Sequence, residues 1–89
     1  MKRAEIKITG RVQGVFFRQV AKSKAGELGL AGFVRNEPDG SVLIVAEGEE
    51  EKLQKLVEWA KVGTELSQVE RVDITWKDAS NKFKFFEMI

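Results

Sequence analysis

The sequence has 89 residues, a formal net charge of +1, 43% hydrophobic and 33% charged residues, and no His, Cys or Tyr. That length suits one small domain spanning residues 1–89, and the apolar share is enough for a core and too much for a disordered tail. The missing residue types remove the usual proton shuttle, thiol nucleophile and soft metal ligands, which excludes serine-histidine triads, thiol proteases, zinc fingers, haem ligation and disulfide frameworks.

The near-neutral charge gives no general attraction to nucleic acid or an anionic membrane, so any anion site is local and neither is expected as a partner. The longest apolar run able to begin a span, residues 42–46, is far short of the roughly 20 residues a membrane helix needs. The N-terminal MKRAEIKITG carries charges and no apolar stretch, which predicts a cytoplasmic protein.

In chain order, Ala4, Ile6 and Ile8 alternate with Glu5, Lys7 and Thr9, the period of a strand with one wet face, ending at Gly10. Phe17, Val20, Ala21, Ala25 and Leu28 then fall at helical spacing, with Lys22, Lys24 and Glu27 off that stripe and Gly29 as the stop. Residues 32–36 and 41–48 are β-rich runs joined by Pro38-Asp39-Gly40, where Pro presets φ and Gly accepts a positive one, so they predict a hairpin. Glu49, Glu50 and Glu51 precede Leu53, Leu56, Val57 and Ala60, which places acids at the positive end of a second amphipathic helix closed by Gly63. Consecutive helix positions diverge, so these acids are read as dipole partners rather than as a metal site. Val72, Ile74 and Trp76 alternate with Arg71, Asp73, Thr75 and Lys77, and residues 82–88 can form a last edge strand.

The order β-α-β-β-α-β, with a short additional C-terminal strand and one apolar stripe per helix, predicts the α+β class. The expected form is a ferredoxin-like two-layer α/β sandwich, with a mainly antiparallel sheet and both helices on one face. That architecture hosts enzymes, RNA binders and regulatory modules alike, so function has to come from a site.

The informative stretch is Gly10-Arg11-Val12-Gln13-Gly14-Val15-Phe16-Phe17-Arg18, which leads from the first strand into the first helix. Gly10 and Gly14 let the backbone turn so that successive N–H groups face one small anion at a helix N-terminus, a cradle that suits phosphate. Arg18, just inside the helix, has the planar fork to grip two phosphate oxygens, a geometry Lys lacks. Each part also has an ordinary reading. Glycines four apart are common, a helix-start Arg is usually solvated, Phe16 and Phe17 suit packing, and Asn36 before a turn commonly bonds its own backbone. In the predicted topology the second strand lies beside the first, which places Asn36 near the mouth of the loop, where a side-chain amide can fix a water in line with phosphorus without titrating. Arg35 points to the other sheet face and is left out of the site, while Arg11 stays open between adding positive potential and being solvated.

Together these segments resemble the acylphosphatase family. Gly10-Arg11-Val12-Gln13-Gly14-Val15-Phe16-Phe17-Arg18 matches its first signature, and Gly32-Phe33-Val34-Arg35-Asn36-Glu37-Pro38-Asp39-Gly40-Ser41-Val42, followed by Gly48, matches its second. The signatures cover less than a third of the chain, but length and element order agree over nearly all of it. The resemblance implies hydrolysis of the carboxyl-phosphate bond of an acyl phosphate, with no metal and no organic cofactor. By position it makes Arg18 the phosphate-binding arginine and Asn36 the water-orienting asparagine, both catalytic. It also makes the amides of Gln13, Gly14, Val15, Phe16, Phe17 and Arg18 the phosphate loop. Inorganic phosphate or sulfate would then compete for the site, and a monomer is expected because Lys82 and Lys84 blunt the last strand. Two departures stand out: Gly63-Thr64-Glu65 where many members carry Gly-Pro, and Met88-Ile89 in place of a frequent terminal Tyr.

This chemistry needs no histidine. A departing carboxylate is a weak base requiring no general acid, and a loose phosphoryl transition state asks for placement of water more than for its activation. Two other classes compete. An RNA-binding module of the same topology would show aromatics on the open face of the first strand, and this one has none there. A regulatory anion-binding domain would keep the cradle and turn nothing over.

Overall fold

Residues Met1–Ile89 are all described by a computed structural model. Its elements are β1 (Lys2–Arg11), α1 (Phe17–Glu27), β2 (Ala31–Asn36), β3 (Val42–Gly48), α2 (Glu50–Val62), β4 (Gln68–Asp78) and β5 (Phe86–Met88). The sheet order is β4-β1-β3-β2-β5; β2 and β5 run parallel and every other pairing is antiparallel. This is the ferredoxin-like α+β sandwich that the element order predicts.

Alternation along the strands decides which face is buried. Ala4, Ile6 and Ile8 of β1 are fully buried and stand opposite Ala46, Ile44 and Val42 of β3, also fully buried. Leu53, Leu56, Val57 and Ala60 of α2 and Phe17, Ala21 and Ala25 of α1 close over this surface. Each buried Val, Leu, Ile or Phe contributes about 1.5–3 kcal/mol, so the shared face orients both helices. Gly29 (φ 70) ends α1 by a Schellman motif, with the Leu30 N–H donating to the Ala25 carbonyl at 2.9 Å and the Gly29 N–H to that of Gly26 at 3.1 Å.

Several expectations are corrected. β2 does not lie beside β1, because β3 runs between them and pairs with both. The tight turn makes β2 and β3 neighbours, and the parallel crossover through α1 leaves a slot that an antiparallel β3 fills. The last strand covers only Phe86–Met88, because residues 82–84 lie outside the sheet and the chain reaches β2 only where the Gly32 N–H donates to the Phe85 carbonyl at 3.1 Å. β1 runs one residue past Gly10, to Arg11. Val20 is 37% exposed, because the buried line of α1 runs through Phe17, Ala21 and Ala25 and leaves Val20 on its flank.

Gly10 has a different role from a cradle residue. The β1–β4 register shifts between Thr9 and Gly10, where φ is +127 and a Cβ would meet the Gln68 carbonyl oxygen at 2.2 Å. A bulge at a residue without a side chain bends β1 out of the ladder and into the loop that follows.

Candidate active site

The loop from β1 to α1 alternates between anchoring and presentation. Val12 and Val15 are buried in the core, whereas Gly14 and Phe16 are exposed. Gly14 (φ 73) and Phe16 (φ 64, ψ 18) both adopt left-handed backbone. For Phe16 that conformation costs about 1–2 kcal/mol, strain of a kind that collects at functional sites. Left-handed residues interleaved in such a turn make neighbouring N–H groups converge on one concavity.

The N–H groups of Gln13, Gly14, Val15 and Phe16 donate to no other group of the chain. The first helical bond of α1 runs from the Val20 N–H to the Phe16 carbonyl at 3.2 Å, so Phe17, Arg18 and Gln19 lack a helical acceptor as well. The first turn of α1 carries no acid, in contrast to Glu50 and Glu51 in the first turn of α2. The positive end of α1 is therefore left uncompensated by its own side chains.

This loop frames a cleft of about 150 Å³ lined by Val12, Gly14, Phe16, Phe17, Arg18, Gln19 and Asn36. Arg18 is half-buried and its Nη1 donates to the main-chain oxygen of Ile89 at 3.1 Å. Ile89 is itself tied to β2 by its N–H, which donates to the Val34 carbonyl at 3.0 Å. Asn36 ends β2, and its Oδ1 is a buried polar atom without a hydrogen-bond partner. Buried polar atoms are normally satisfied, so an orphan acceptor in a cleft marks a place for a water or a donor on a ligand. Arg35 turns to the opposite face, over the Phe33 ring at 5.3 Å, with Nε donating to Glu37 at 3.3 Å.

Two side chains brace the loop from outside. Gln13 Nε2 donates to the carbonyls of Glu37 (2.8 Å) and Ser41 (2.9 Å), tying the loop to both ends of the hairpin turn that follows Asn36. This bond spans β3 and brings Asn36 to the loop although β2 and β1 are not neighbours. On the other side Thr64 Oγ1 donates to the Val15 carbonyl at 2.8 Å. Phe17 packs on Trp59 with ring centroids 4.9 Å apart, which fixes the start of α1 against α2. The hairpin turn is pinned in turn by Lys7 and Asp39 at 2.8 Å; the Lys7 ammonium and then the Ser41 hydroxyl and N–H hold the Asp39 carboxyl well below the usual range.

Of the residues singled out from sequence, Gly14, Phe16, Phe17, Arg18 and Asn36 line one cleft. Gln13 and Val15 turn their side chains away and offer only backbone, and Arg11 is exposed outside the lining. Val12, Gln19, Thr64, Ile89 and the bracing role of the Gln13 side chain were not foreseen. No group of three or more Asp or Glu side chains gathers where it could hold a metal, and no helix is long and apolar enough to cross a membrane. A loop of unpaired amides, a guanidinium and an unpartnered amide side chain within one cleft can hold a tetrahedral anion and a water beside it.

Comparison with known proteins points to one family. The Acylphosphatase family pattern matches residues 4–88. The acylphosphatase of Salinibacter ruber is 45% identical over 87 residues, covering 98% of this chain and 92% of that protein. The crystal structure of acylphosphatase from Bacillus subtilis superposes with a TM-score of 0.96 at 38% identity, covering 100% of this chain and 99% of that one. HypF of T. kodakarensis matches with a TM-score of 0.85 at 31% identity, over 100% of this chain and 12% of that larger one.

Proposed function

The chain belongs to the acylphosphatase family, and from that premise we propose that its hydrolysis of acyl phosphates is carried out in the cleft between the β1–α1 loop and Asn36. The amides of residues 13–18 and the Arg18 guanidinium hold the phosphoryl group, and Asn36 holds the attacking water. The observation that carries the assignment is the unpartnered, buried Oδ1 of Asn36 in the same cleft as Arg18 and the unpaired loop amides.

The water oxygen attacks phosphorus opposite the acyl oxygen, with its own hydrogen directed at Asn36 Oδ1. The bond from phosphorus to the acyl oxygen breaks and the carboxylate leaves with the electron pair, needing no protonation. The proton of the incoming water passes to a phosphoryl oxygen of the substrate, so the products are a carboxylate and inorganic phosphate. As the transition state loosens, charge spreads over the phosphoryl oxygens, where each preorganised donor is typically worth about 3 kcal/mol. Arg18 adds a permanent charge whose direction is set by its bond to Ile89.

The same reading takes the protein as one domain over residues 1–89, a cytoplasmic monomer that needs no metal or cofactor, with inorganic phosphate and sulfate as competing anions. Its test is the release of inorganic phosphate from benzoyl or acetyl phosphate with a chelator present, for the native chain and for Arg18→Ala. Hydrolysis that survives the chelator and falls at least about 100-fold in the variant is expected. Hydrolysis lost to the chelator would overturn metal independence, and an undiminished Arg18→Ala would overturn the site. Phosphate binding without turnover would make the cleft a regulatory anion site.

A further inference from the structure

We propose that Thr64 is a positioning residue for the phosphate cradle: its hydroxyl locks the Val15–Phe16 peptide so that the Phe16 N–H, and not the Val15 carbonyl, faces the bound phosphoryl group. The proposal rests on the assignment of the cleft above.

In a trans peptide the carbonyl and the following N–H point in opposite directions. Thr64 Oγ1 donates to the Val15 carbonyl at 2.8 Å from the side of the loop that faces the end of α2. The Phe16 N–H of that same peptide is thereby turned the other way, and it belongs to a residue that lines the cleft and has no acceptor for its N–H in the chain. The lock matters because the flanking backbone is strained. Phe16 holds φ 64, and rotating the peptide would let it return to a negative φ. The same rotation would point a carbonyl oxygen at the anion. Strain and function thus pull this peptide in opposite directions, and the hydroxyl of Thr64 holds it on the functional side.

Thr64 is itself held rigidly. Its N–H donates to Ser67 Oγ at 2.8 Å, and the Ser67 hydroxyl donates back to the Thr64 carbonyl at 2.8 Å. Gly63 (φ 74) leads into this knot where no side chain fits, since a Cβ would meet Ser67 Oγ at 2.3 Å and Phe17 Cε2 at 3.1 Å. The bond is available here because this chain carries Thr64 directly after Gly63, where Pro would offer no hydroxyl.

The test compares the native chain with Thr64→Val, which keeps the shape and loses the hydroxyl, and Thr64→Ser, which keeps the hydroxyl. The probes are calorimetric affinity for inorganic phosphate and kcat and KM for benzoyl phosphate. Thr64→Val is expected to bind phosphate about tenfold more weakly with kcat/KM reduced by about the same factor, while Thr64→Ser stays within about twofold of native. In the native chain and the Ser variant, phosphate shifts the Phe16 amide resonance strongly, and in the Val variant that shift is largely lost. A merely structural role would lower the melting temperature without moving that resonance. Unchanged phosphate affinity and an unchanged Phe16 response in Thr64→Val would overturn the proposal. Arg18→Ala measured alongside separates the two failures: if it abolishes binding while Thr64→Val does nothing, only the positioning role falls.

Discussion

At the end of the β1–β3 pair where Arg3 meets Glu47, the buried carboxylate is saturated. Glu47 Oε2 accepts from Arg3 Nε (2.8 Å), the Ser80 N–H (2.9 Å) and the Ser80 hydroxyl (2.9 Å), and Oε1 accepts from the Asn81 N–H (3.0 Å). At the opposite end, where Ile8 meets Val42, the loop amides have no acceptors, Phe16 is strained and Asn36 Oδ1 is buried without a partner. One pair of strands thus carries two polar clusters. The saturated one ties the β4–β5 connection to the sheet, whereas the unsaturated one leaves donors and an acceptor without partners. Polar groups left unpaired inside a protein are costly, so their concentration at one end is itself a functional signal.

The comparison breaks most visibly at the unsaturated end. Arg18→Lys keeps the charge and loses the planar fork, so kcat/KM is expected to fall about 100-fold or more; a near-native value would refute two-pronged contact with phosphate. Asn36→Ala removes the acceptor for water and leaves the amides and Arg18 in place. Its kcat is expected to fall about 100-fold with phosphate affinity within about twofold of native, and lost affinity with preserved turnover would contradict the water-holding role. Neither change is expected to lower stability much, because Asn36 Oδ1 has no partner to lose and Arg18 gives up one exposed hydrogen bond to Ile89.

At the saturated end the expected signature is reversed. Glu47→Gln leaves kcat/KM unchanged and lowers the unfolding free energy by about 2 kcal/mol, because a buried charge-assisted network loses its centre. Burial pushes the Glu47 carboxyl up, but hydrogen bonds from the Ser80 N–H, Arg3, the Ser80 hydroxyl and the Asn81 N–H outweigh it and bring it down to about 2 from an ordinary 4.5. A carboxyl lowered on folding stabilises the fold above its ordinary pKa and loses that contribution as protons are forced on. The native chain therefore sheds on the order of 3 kcal/mol as pH falls from about 4.5 towards 2, and Glu47→Gln has a flatter acid limb. Parallel acid unfolding curves for the two proteins would show that Glu47 is not the titrating group.

The sequence exposes these two ends unequally. Local periodicity was enough for the buried faces of β1 and α2, because Ala4-Ile6-Ile8 and Leu53-Leu56-Val57-Ala60 write them into their own spacing, whereas β4 begins at Gln68, ahead of its alternating run, and leaves Trp76 40% exposed. The loop amides, Arg18 and Asn36 were legible because they lie in contiguous motifs. The adjacency of β2 and β1 was misread, since the pairing of separated strands leaves no local trace and β3 takes the place between them. Ile89 against Arg18 and Thr64 against Val15 join residues 71 and 49 positions apart, and only the packed chain brings them together. The Glu47 cluster was invisible for the same reason, because an isolated Glu in a strand says nothing about the Ser80 and Asn81 amides that will meet it.

The smallest expected effect tests whether backbone conformation alone separates the ends. At Gly14 a Cβ would find no atom within 4 Å, so Gly14→Ala introduces no clash, and its cost comes only from holding φ 73. That is about 1 kcal/mol of stability, read as a small drop in the urea midpoint with an unchanged slope. Gly14→Asn should recover part of it, since Asn tolerates the left-handed region better than Ala. If the cradle depends on this conformation, phosphate affinity follows the same order, Gly above Asn above Ala, because a loop relaxed towards negative φ no longer directs its amides at one point. A loss of stability without that order in affinity would mean that Gly14 serves the turn and not the anion, leaving Phe16 as the residue whose left-handed backbone shapes the cradle.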